Sequence, residues 1–418
     1  MDISRFDYQL SRDLIAQKPA DPRDSSRLLV LDRNNGETRH TVFYNIINYL
    51  NSNDVLILNK SKVFPARLYG TKMTKGKVEV LILRFLQNID MDSHLPSFTQ
   101  GYGRTQRGDD RVKYRKDKRG ILRTLSTQDD NTRHSEQSEE SHTICEAITK
   151  PGLFLNDRIQ FEGFEGNVKK RDGYITLIEF DLPHDQLLGK INLIGHTPIP
   201  PYINKSPLSE NDLREKYQTV YAKSVGSAAA PTAGLHFTNE LLKKLRKKGV
   251  QTEYVTLHVG LGTFAPVKEK DVEKHKIHEE YFEVDGDTLK RLNKAKKEGK
   301  RIITVGTTTT RVLETLAFGH LSRLGQLEIR NFKDSTNLFI FPPYKFHFVD
   351  ALITNFHLPK STLLALVSAF VSYPNLPAQA GTNKEFTDFR SSSLGRAYNE
   401  AIKQKYRFFS FGDAMMIK

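Results

Sequence analysis

Residues 301–311 read RIITVGTTTTR, and this stretch decides the fold that we predict. Its apolar and β-branched residues predict a buried strand over Arg301–Gly306, and the glycine predicts a turn. A helical pattern follows over Arg311–Phe318. Because a strand that passes through a short turn into a helix is the repeating unit of α/β folds, we expect a sheet with helices on its faces.

The same alternation of strands and helices extends on both sides of this stretch, from Gly195 almost to the C-terminus. The other helices predicted there are Asn239–Lys248, Asp287–Gly299 and Tyr398–Lys405, and the other strands are Thr252–His258, Leu338–Phe341, Val349–Thr354 and Phe408–Phe411. The apolar run Leu363–Val371 is too short to cross a bilayer and predicts a buried helix. Residues 374–393 are polar and rich in Pro, Gly and Ser, which predicts a surface loop.

The first 195 residues are dominated by short strands. Residues 1–60 predict the strands Arg27–Asp32 and Asp54–Asn59, with the short helix Asn45–Leu50 between them. Residues 61–195 alternate apolar and polar side chains in segments separated by glycines, which is typical of a small antiparallel barrel. The predicted barrel strands are Ala66–Gly70, Lys77–Leu83, Ile144–Ile148, Arg158–Phe161 and Tyr174–Phe180. A charged segment, residues 95–142, has few core residues and predicts a flexible insertion in the barrel.

Composition narrows the class of protein. The chain of 418 residues has 63 Lys and Arg against 49 Asp and Glu, a net charge of +14. A basic excess attracts polyanions, so nucleic acid is the first partner to consider, with a basic surface kept for solubility as the alternative. The single cysteine, Cys145, excludes an internal disulfide framework and multi-cysteine metal sites. Because the N-terminus lacks the pattern of a signal peptide, we expect a cytoplasmic protein without a membrane segment.

Polar, glycine-bearing segments recur at the ends of strands, where open α/β sheets bind their ligands. The candidate residues are Thr232, Gly234 and His236 in AAPTAGLHF; His258, Gly260, Gly262, Thr263 and Phe264 in VTLHVGLGTF; Gly306, Thr307, Thr308 and Arg311 in VGTTTTR; and Asn355, Phe356 and His357 in ALITNFHLPKST. Each segment alone has a structural interpretation, such as a helix N-cap for the threonines. Four of them together predict a binding site.

The residue types in these segments leave three functions open. Free N–H groups at a helix start, with Arg311 nearby, suit a carboxylate or a phosphate. His236, His258 and His357, with Asp350 or Asp413, are an alternative set of metal ligands, which would indicate a metal-dependent hydrolase. A non-enzymatic RNA-binding module is favoured by charge alone.

These segments resemble the S-adenosylmethionine:tRNA ribosyltransferase-isomerase family of queuosine biosynthesis. The resemblance spans nearly the whole chain, with its motifs in the order of the family. They are Phe6–Tyr8, Leu14–Ala16, Asn59–Arg67, Gly195–Ile203, Tyr217–Tyr221, Ala229–Phe237, Thr256–Phe264, Val305–Arg311, Asp350–Leu363 and Tyr406–Met415. Residues 95–142 and 374–393 depart from the family's pattern as insertions.

The resemblance implies both a fold and a reaction. The implied fold is α/β with two intertwined domains: an α/β catalytic domain with a mixed sheet, residues 1–60 and 196–418, and an inserted small antiparallel β-barrel, residues 61–195. The implied reaction transfers and isomerises the ribosyl moiety of S-adenosylmethionine onto 7-aminomethyl-7-deazaguanine in the tRNA wobble position. The products are epoxyqueuosine in tRNA, adenine and methionine. We expect a monomer that uses S-adenosylmethionine as its co-substrate and needs no metal or other cofactor.

Hypotheses for individual roles combine this resemblance with side-chain chemistry. His236 and His258 are candidates for proton transfer, because a neutral imidazole can accept and donate protons near pH 7. Arg311, with Thr307 and Thr308, is the candidate for binding the methionine carboxylate. Three further sets complete the predicted site: Asp350 and Asp413 to orient a histidine or the amine, Phe264 or Phe356 against adenine or the sulfonium, and Lys62, Arg67 and Arg407 for tRNA phosphates.

Overall fold

The computed structural model describes residues 1–86, 142–260, 267, 269–321, 325–372, 374–376 and 385–418. The strands in this part of the chain are β1 (Arg27–Leu31), β2 (Thr38–Val42), β3 (Asp54–Asn59), β4 (Ser61–Val63), β5 (Arg67–Lys72), β6 (Lys77–Leu86), β7 (Thr143–Lys150), β8 (Arg158–Phe161), β9 (Phe164–Asp172), β10 (Ile175–Phe180), β11 (Ser224–Ser227), β12 (Gln251–Leu257), β13 (Glu280–Val284), β14 (Arg301–Val305), β15 (Phe332–Thr336), β16 (Ala351–Asn355) and β17 (Ala414–Ile417). The helices are α1 (His184–Ile194), α2 (Glu210–Lys216), α3 (Asn239–Lys247), α4 (Gly286–Lys297), α5 (Thr307–His320), α6 (Thr362–Phe370) and α7 (Ser393–Lys403).

Nine strands form one mixed sheet in the order β15-β13-β12-β3-β14-β16-β17-β1-β2. The four central strands β12, β3, β14 and β16 are parallel to one another, whereas β17 is antiparallel to β16 and parallel to β1. We call the edge where the four parallel strands end the carboxyl edge, and the edge where they begin the amino edge. Because β1 and β17 run in the opposite direction, both begin at the carboxyl edge. The predicted α/β class with a mixed sheet is confirmed.

Strand β3 shows why the centre of the sheet is stable. All six of its residues are buried, and its side chains alternate between two cores. Val55 and Ile57 join the core under α4, α5, α6 and α7, whereas Leu56 and Leu58 join the core under α3. A continuous apolar run is typical of a parallel strand that is covered on both faces.

The barrel is a closed ring of six antiparallel strands in the order β10-β7-β6-β5-β8-β9. Its interior is filled by apolar side chains, with Phe161, Phe164 and Phe180 in mutual contact. Gly70 lies where β5 crosses β8 so closely that a Cβ atom would come within 2.6 Å of the Ile159 side chain. The predicted small antiparallel barrel is confirmed, while the boundaries at residues 60/61 and 195/196 stay a prediction.

Two strands predicted near the C-terminus are wrong. Residues 338–341 are irregular, and the strand there is β15, Phe332–Thr336. Residues 408–411 form a turn with Phe409 at a φ of 68°, and the strand is β17, Ala414–Ile417. The predictions failed because aromatic residues mark burial as strongly as they mark a strand. Helix α5 also begins at Thr307, four residues before the predicted start.

The second polar segment, residues 374–393, has no helix or strand before Ser393 where the structure describes it, and most of its described residues are exposed or partly buried, but two aromatic side chains tie it to the core. Phe386 and Phe389 are buried, and the Phe386 ring stacks on Phe6 at 5.1 Å between centroids. Phe389 contacts the rings of Tyr8 and Tyr398. These aromatic side chains hold in place the segment that leads into α7. The first insertion, residues 95–142, lies outside the described residues except for His142.

The apolar run near residue 363 forms helix α6, whose nine residues are all buried, as predicted. Within the described ranges, no helix is long and apolar enough to span a membrane.

Candidate active site

A cleft of about 330 Å³ opens at the carboxyl edge of the sheet. This volume includes space that is open to solvent. The lining residues come from the segment before α3, from the ends of β12, β14 and β16, and from α6. They are Ala230, Pro231, Thr232, Ala233, Val259, Gly306, Thr307, Thr308, Thr354, Asn355, His357 and Leu363.

The N-terminus of α5 forms one wall of the cleft. Gly306 has a φ of 91°, a conformation that favours glycine, and it turns the chain from β14 into the helix. The first intrahelical bond joins Thr310 N to Gly306 O, so the N–H groups of the first turn have no partner in the helix. The hydroxyl of Thr308 is buried and accepts and donates no hydrogen bond. This wall therefore offers N–H groups and a free hydroxyl to an anion.

His236 is buried next to Asn355, one of the lining residues, in a hydrogen-bonded network. Its Nδ1 is 2.7 Å from Ser26 Oγ, and its Nε2 is 3.1 Å from the Asn355 side-chain amide. Thr232 donates its hydroxyl to Asn355 Oδ1 at 2.9 Å, which orients the amide so that its NH₂ group faces the histidine. His236 Nε2 is therefore the acceptor, and Nδ1 carries the proton. Burial lowers the pKa of His236 to about 4, so the ring is neutral at pH 7.

His357 also lines the cleft. Its Nε2 is 2.8 Å from Thr354 Oγ1, and its backbone N–H donates to the Tyr398 hydroxyl at 2.9 Å. Burial lowers the pKa of His357 to about 3. The cleft thus has one neutral imidazole, that of His357, among its lining residues and a second, that of His236, bonded to the lining residue Asn355. None of the lining residues has a charged side chain at pH 7.

His258, the other predicted proton-transfer residue, does not line the cleft. Its ring lies beside Gly226, where a Cβ atom would come within 2.9 Å of it, and is parallel to the Tyr281 ring. Its Nδ1 is buried without a partner, and burial lowers its pKa. The next residue, Val259, lines the cleft instead.

The two predicted aspartates have different positions. Asp413 is buried at the carboxyl edge and forms ion pairs with Arg27 at 3.1 Å and Arg407 at 2.9 Å. Its charge acts on His236, whose pKa it raises against the larger effect of burial. Asp350 lies at the amino edge, where it pairs with Lys296 at 2.9 Å and accepts from Ile302 N at 2.7 Å. The length of β16 separates Asp350 from the cleft.

Arg311 does not reach the cleft with its donors. The side chain is 2% exposed, and its guanidinium pairs with Glu280. It also donates to Leu338 O at 3.0 Å and to Thr336 O at 3.2 Å. Phe356 is similarly enclosed, in an aromatic cluster with Tyr398, Tyr406 and Phe408. Neither residue is among those that line the cleft.

Of the predicted glycines in the described part of the chain, Gly306 lines the cleft, whereas Gly234 and Gly260 do not. Gly234 packs under the Tyr221 hydroxyl, where a Cβ atom would lie 2.0 Å away, so any side chain is excluded. Gly260 N donates to Glu280 Oε1 at 3.0 Å. Gly262, Thr263 and Phe264 lie outside the described residues.

The three residues predicted to contact tRNA are at or near the surface. Lys62 is exposed on β4, opposite the exposed Val225 of β11. Arg67 is partly buried; it pairs with Glu79 at 3.2 Å and donates to Ile199 O. Arg407 is partly exposed and committed to Asp413.

In the described part of the chain, no group of three His, Cys, Asp or Glu side chains is arranged to hold a metal ion. His236, His258 and His357 each have separate neighbours, so the set of ligands on which the metal-dependent hydrolase rested is not brought together. Sequence reasoning missed Ser26, Thr354 and Val259. Ser26 directly precedes β1, and only the antiparallel direction of β1 relative to β16 brings it to the carboxyl edge.

Fold and site together define the class: an α/β protein with a mixed sheet and a small-molecule cleft at its carboxyl edge. The cleft combines a helix N-terminus, whose free N–H groups suit an anion, with the neutral imidazole of His357, and the neutral His236 lies next to its lining residue Asn355.

Comparison with known proteins gives the family within this class. The model of the family described as "Queuosine biosynthesis protein" matches residues 3–417. Relatives named S-adenosylmethionine:tRNA ribosyltransferase-isomerase, from Thermotoga petrophila and Halothermothrix orenii, are 42% and 40% identical, with all of each chain covered. A crystal structure of S-adenosylmethionine tRNA ribosyltransferase from Thermotoga maritima is 32% identical, with 99% of this chain and 100% of that chain covered and a TM-score of 0.46. The chain belongs to the S-adenosylmethionine:tRNA ribosyltransferase-isomerase family.

Proposed function

We propose that the cleft at the carboxyl edge binds S-adenosylmethionine and that His236 exchanges protons in the reaction. As a member of its family, the chain is an S-adenosylmethionine:tRNA ribosyltransferase-isomerase, which transfers and isomerises the ribosyl moiety to form epoxyqueuosine in tRNA. The observation that carries the proposal is the buried, unpartnered hydroxyl of Thr308, a lining residue of the cleft whose other lining residue Asn355 bonds to the neutral His236.

The methionine carboxylate is assigned to the N-terminus of α5. The N–H groups of Thr307 and Thr308 lie in the first turn, and the helix dipole favours a negative charge there. The free hydroxyl of Thr308 supplies a further donor. Arg311 is left out of this subsite, because its guanidinium is taken up by Glu280 and two backbone carbonyls.

His236 suits a proton acceptor in this reaction. The sulfonium acidifies the adjacent C5′ hydrogens of the donor, so that a positioned neutral base can begin the transfer. The lone pair at Nε2 of the neutral imidazole accepts from the Asn355 amide, and rotation of that amide would open the lone pair toward the cleft. The imidazolium that forms is stabilised by the nearby charge of Asp413, which raises the pKa of His236. Adenine must then leave, and a neutral amine on the tRNA base must attack.

The ladder of β4 and β11 is assigned to the tRNA backbone. Lys62 is exposed there, Lys223 directly precedes β11 and is also exposed, and β11 leads within three residues to Ala230 of the cleft. Each phosphate neutralised by a lysine releases counterions, so Lys62→Ala should reduce the slope of log affinity against log salt by roughly 0.7–0.9. The matched control is Lys297→Ala on α4, an exposed lysine near the amino edge. An unchanged slope for Lys62→Ala would place the tRNA contact elsewhere. A monomeric state and a cytoplasmic location stay predictions from the sequence.

The test of this function is adenine release. The protein is incubated with S-adenosylmethionine and tRNA that carries 7-aminomethyl-7-deazaguanine, and free adenine is measured by chromatography. We expect release only when both substrates are present, and we expect it to continue in EDTA. Release from the donor without the tRNA, or no release from the complete mixture, would contradict the assignment. If EDTA stopped adenine release and zinc restored it, a metal-dependent reaction would be favoured.

A further inference from the structure

We infer that Arg311 and Glu280 act as a buried clamp that sets the distance between two walls of the donor cleft. This inference rests on the proposed function, because it assigns the clamp to the affinity for S-adenosylmethionine. Both residues are positioning residues: the contacts that the structure gives them are with the protein.

The clamp joins two segments that are distant in sequence. Arg311 lies on α5, one turn after Thr307 and Thr308 of the first wall. Glu280 is the first residue of β13 at the carboxyl edge, and its Oε1 accepts from Gly260 N at 3.0 Å. Gly260 directly follows Val259, which lines the second wall.

The geometry gives the pair a fixed position. Glu280 Oε2 pairs with Arg311 Nη1, while Glu280 Oε1 remains bonded to the backbone of Gly260. The other guanidinium nitrogens donate to the carbonyls of Thr336 and Leu338. Both charged side chains are 2% exposed, so solvent screens this pair much less than a surface ion pair. A displacement of α5 would therefore move the backbone at Gly260, and a displacement of that backbone would move α5.

A second buried carboxylate of the same sheet offers a matched control. Glu253 on β12 accepts two hydrogen bonds from Arg291 at 2.8 and 2.9 Å, and its side chain is 6% exposed. Glu253 lies at the beginning of β12, near the amino edge, and is not among the lining residues of the cleft. Loss of this pair affects the fold and leaves the cleft walls in place.

Two substitutions distinguish a clamp from a simple charge effect. Glu280→Gln leaves an uncompensated positive charge near the cleft, whereas Arg311→Met leaves a negative charge. If charge alone mattered, the two variants would shift the donor affinity in opposite directions. A clamp predicts that both bind more weakly, because both uncouple α5 from the backbone at Gly260. The double variant Glu280→Gln/Arg311→Met carries no buried charge and serves where a single variant does not fold.

The experiment is calorimetric titration of S-adenosylmethionine into the wild type, the two single variants, the double variant and Glu253→Gln. It is done below the Tm of each protein, with single-turnover rates measured at saturating donor. We expect the donor Kd to rise roughly two- to thirtyfold in all three clamp variants and to stay at the wild-type value in Glu253→Gln. The tRNA Kd and the single-turnover rate should stay within about twofold in every variant.

Opposite shifts for Glu280→Gln and Arg311→Met, or an unchanged donor Kd with a lowered Tm, would overturn the clamp while leaving the proposed function intact. A wild type that does not bind S-adenosylmethionine would instead remove the proposed donor site, and the clamp with it.

Discussion

The carboxyl and amino edges of the same sheet treat buried polar groups in different ways. At the amino edge, Asp54 is fully buried, and both of its oxygens bond to Arg301, at 2.7 and 3.0 Å. Glu314 accepts there from three consecutive backbone N–H groups, those of residues 347–349. At the carboxyl edge, Asp413 and Glu280 are also paired, but Thr308 has a hydroxyl without a partner, and His236 and His357 are held neutral. Saturated polar groups stabilise a fold, whereas unsaturated ones keep their capacity for a ligand.

The largest expected effect comes from removing His236, the proposed proton acceptor at the carboxyl edge. His236→Asn should lower the rate of adenine release by about 100-fold or more, the usual range for general acid–base groups. The donor Kd should change little, because His236 is not among the residues that line the cleft. Rapid-quench measurement of adenine, with calorimetry for the donor, checks both. A rate within twofold of the wild type would assign the proton transfer to another group.

The corresponding change at the amino edge should act on stability alone. Asp54→Asn leaves Arg301 without its carboxylate and should lower the free energy of unfolding by about 2–3 kcal/mol. Urea denaturation measures this loss. Below the Tm of the variant, the rate of adenine release should match the wild type. A slower reaction in the folded variant would show that the two edges are coupled and that the comparison is too simple.

The neutral histidines predict a loss of stability in acid. Burial lowers the pKa of His236 to about 4 and of His357 to about 3, whereas an unfolded histidine titrates near about 6.5. The unfolded chain therefore binds more protons below pH 6.5. The contribution of the neutral histidines to the free energy of unfolding is fully present above this pH and is lost as the pH falls toward 4. Between pH 7 and pH 5, each histidine should lower the free energy of unfolding by about 2 kcal/mol.

His357→Gln separates the two contributions. Urea denaturation at pH 7 and pH 5 should give the wild type a loss of about 4 kcal/mol from this pair, and the variant about half of that. An equal loss in both proteins would mean that the pKa of His357 is the same in the folded and the unfolded chain.

The smallest effect should come from removing the unpartnered hydroxyl of Thr308. Thr308→Val keeps the shape of the side chain and removes one hydrogen bond to the donor, so its Kd should rise about five- to tenfold. Stability should not fall and should rise slightly, because the substitution removes a buried hydroxyl that has no partner in the protein. Thr309→Val is the matched control, since the Thr309 hydroxyl donates to Val305 O at 2.8 Å. Equal donor affinities in the two variants would remove Thr308 from the site.

The fold was largely predictable because local patterns decide it. The apolar run of β3 and the strand–glycine–threonine stretch at 301–311 specify buried strands and a helix start without long-range information. The wrong strands at 338–341 and 408–411 share apolar side chains with real strands. Their backbone groups are used differently: the carbonyl of Leu338 accepts from Arg311, and Asp413 N closes a turn onto Arg407 O.

The site was predictable by segment rather than by side chain. The segments around His236, Gly306 and Asn355 meet at one cleft, because the ends of parallel strands share an edge. Sequence could not tell that Arg311, four residues beyond Thr307, turns into the protein toward Glu280. It also placed Asp350 and Asn355 in the same motif, although they lie at opposite ends of β16. Ser26 became visible only when the direction of β1 was known.

Amide hydrogen exchange of the wild type, with and without saturating S-adenosylmethionine, tests the central claim most directly. A cleft at the carboxyl edge predicts that the donor slows exchange in the first turn of α5, Thr307–Thr309, and around Asn355–His357. Exchange at the amino edge, around Asp54 and at residues 347–349, should stay as it is in the free protein. Slowing at the amino edge with no change in the first turn of α5 would contradict the account.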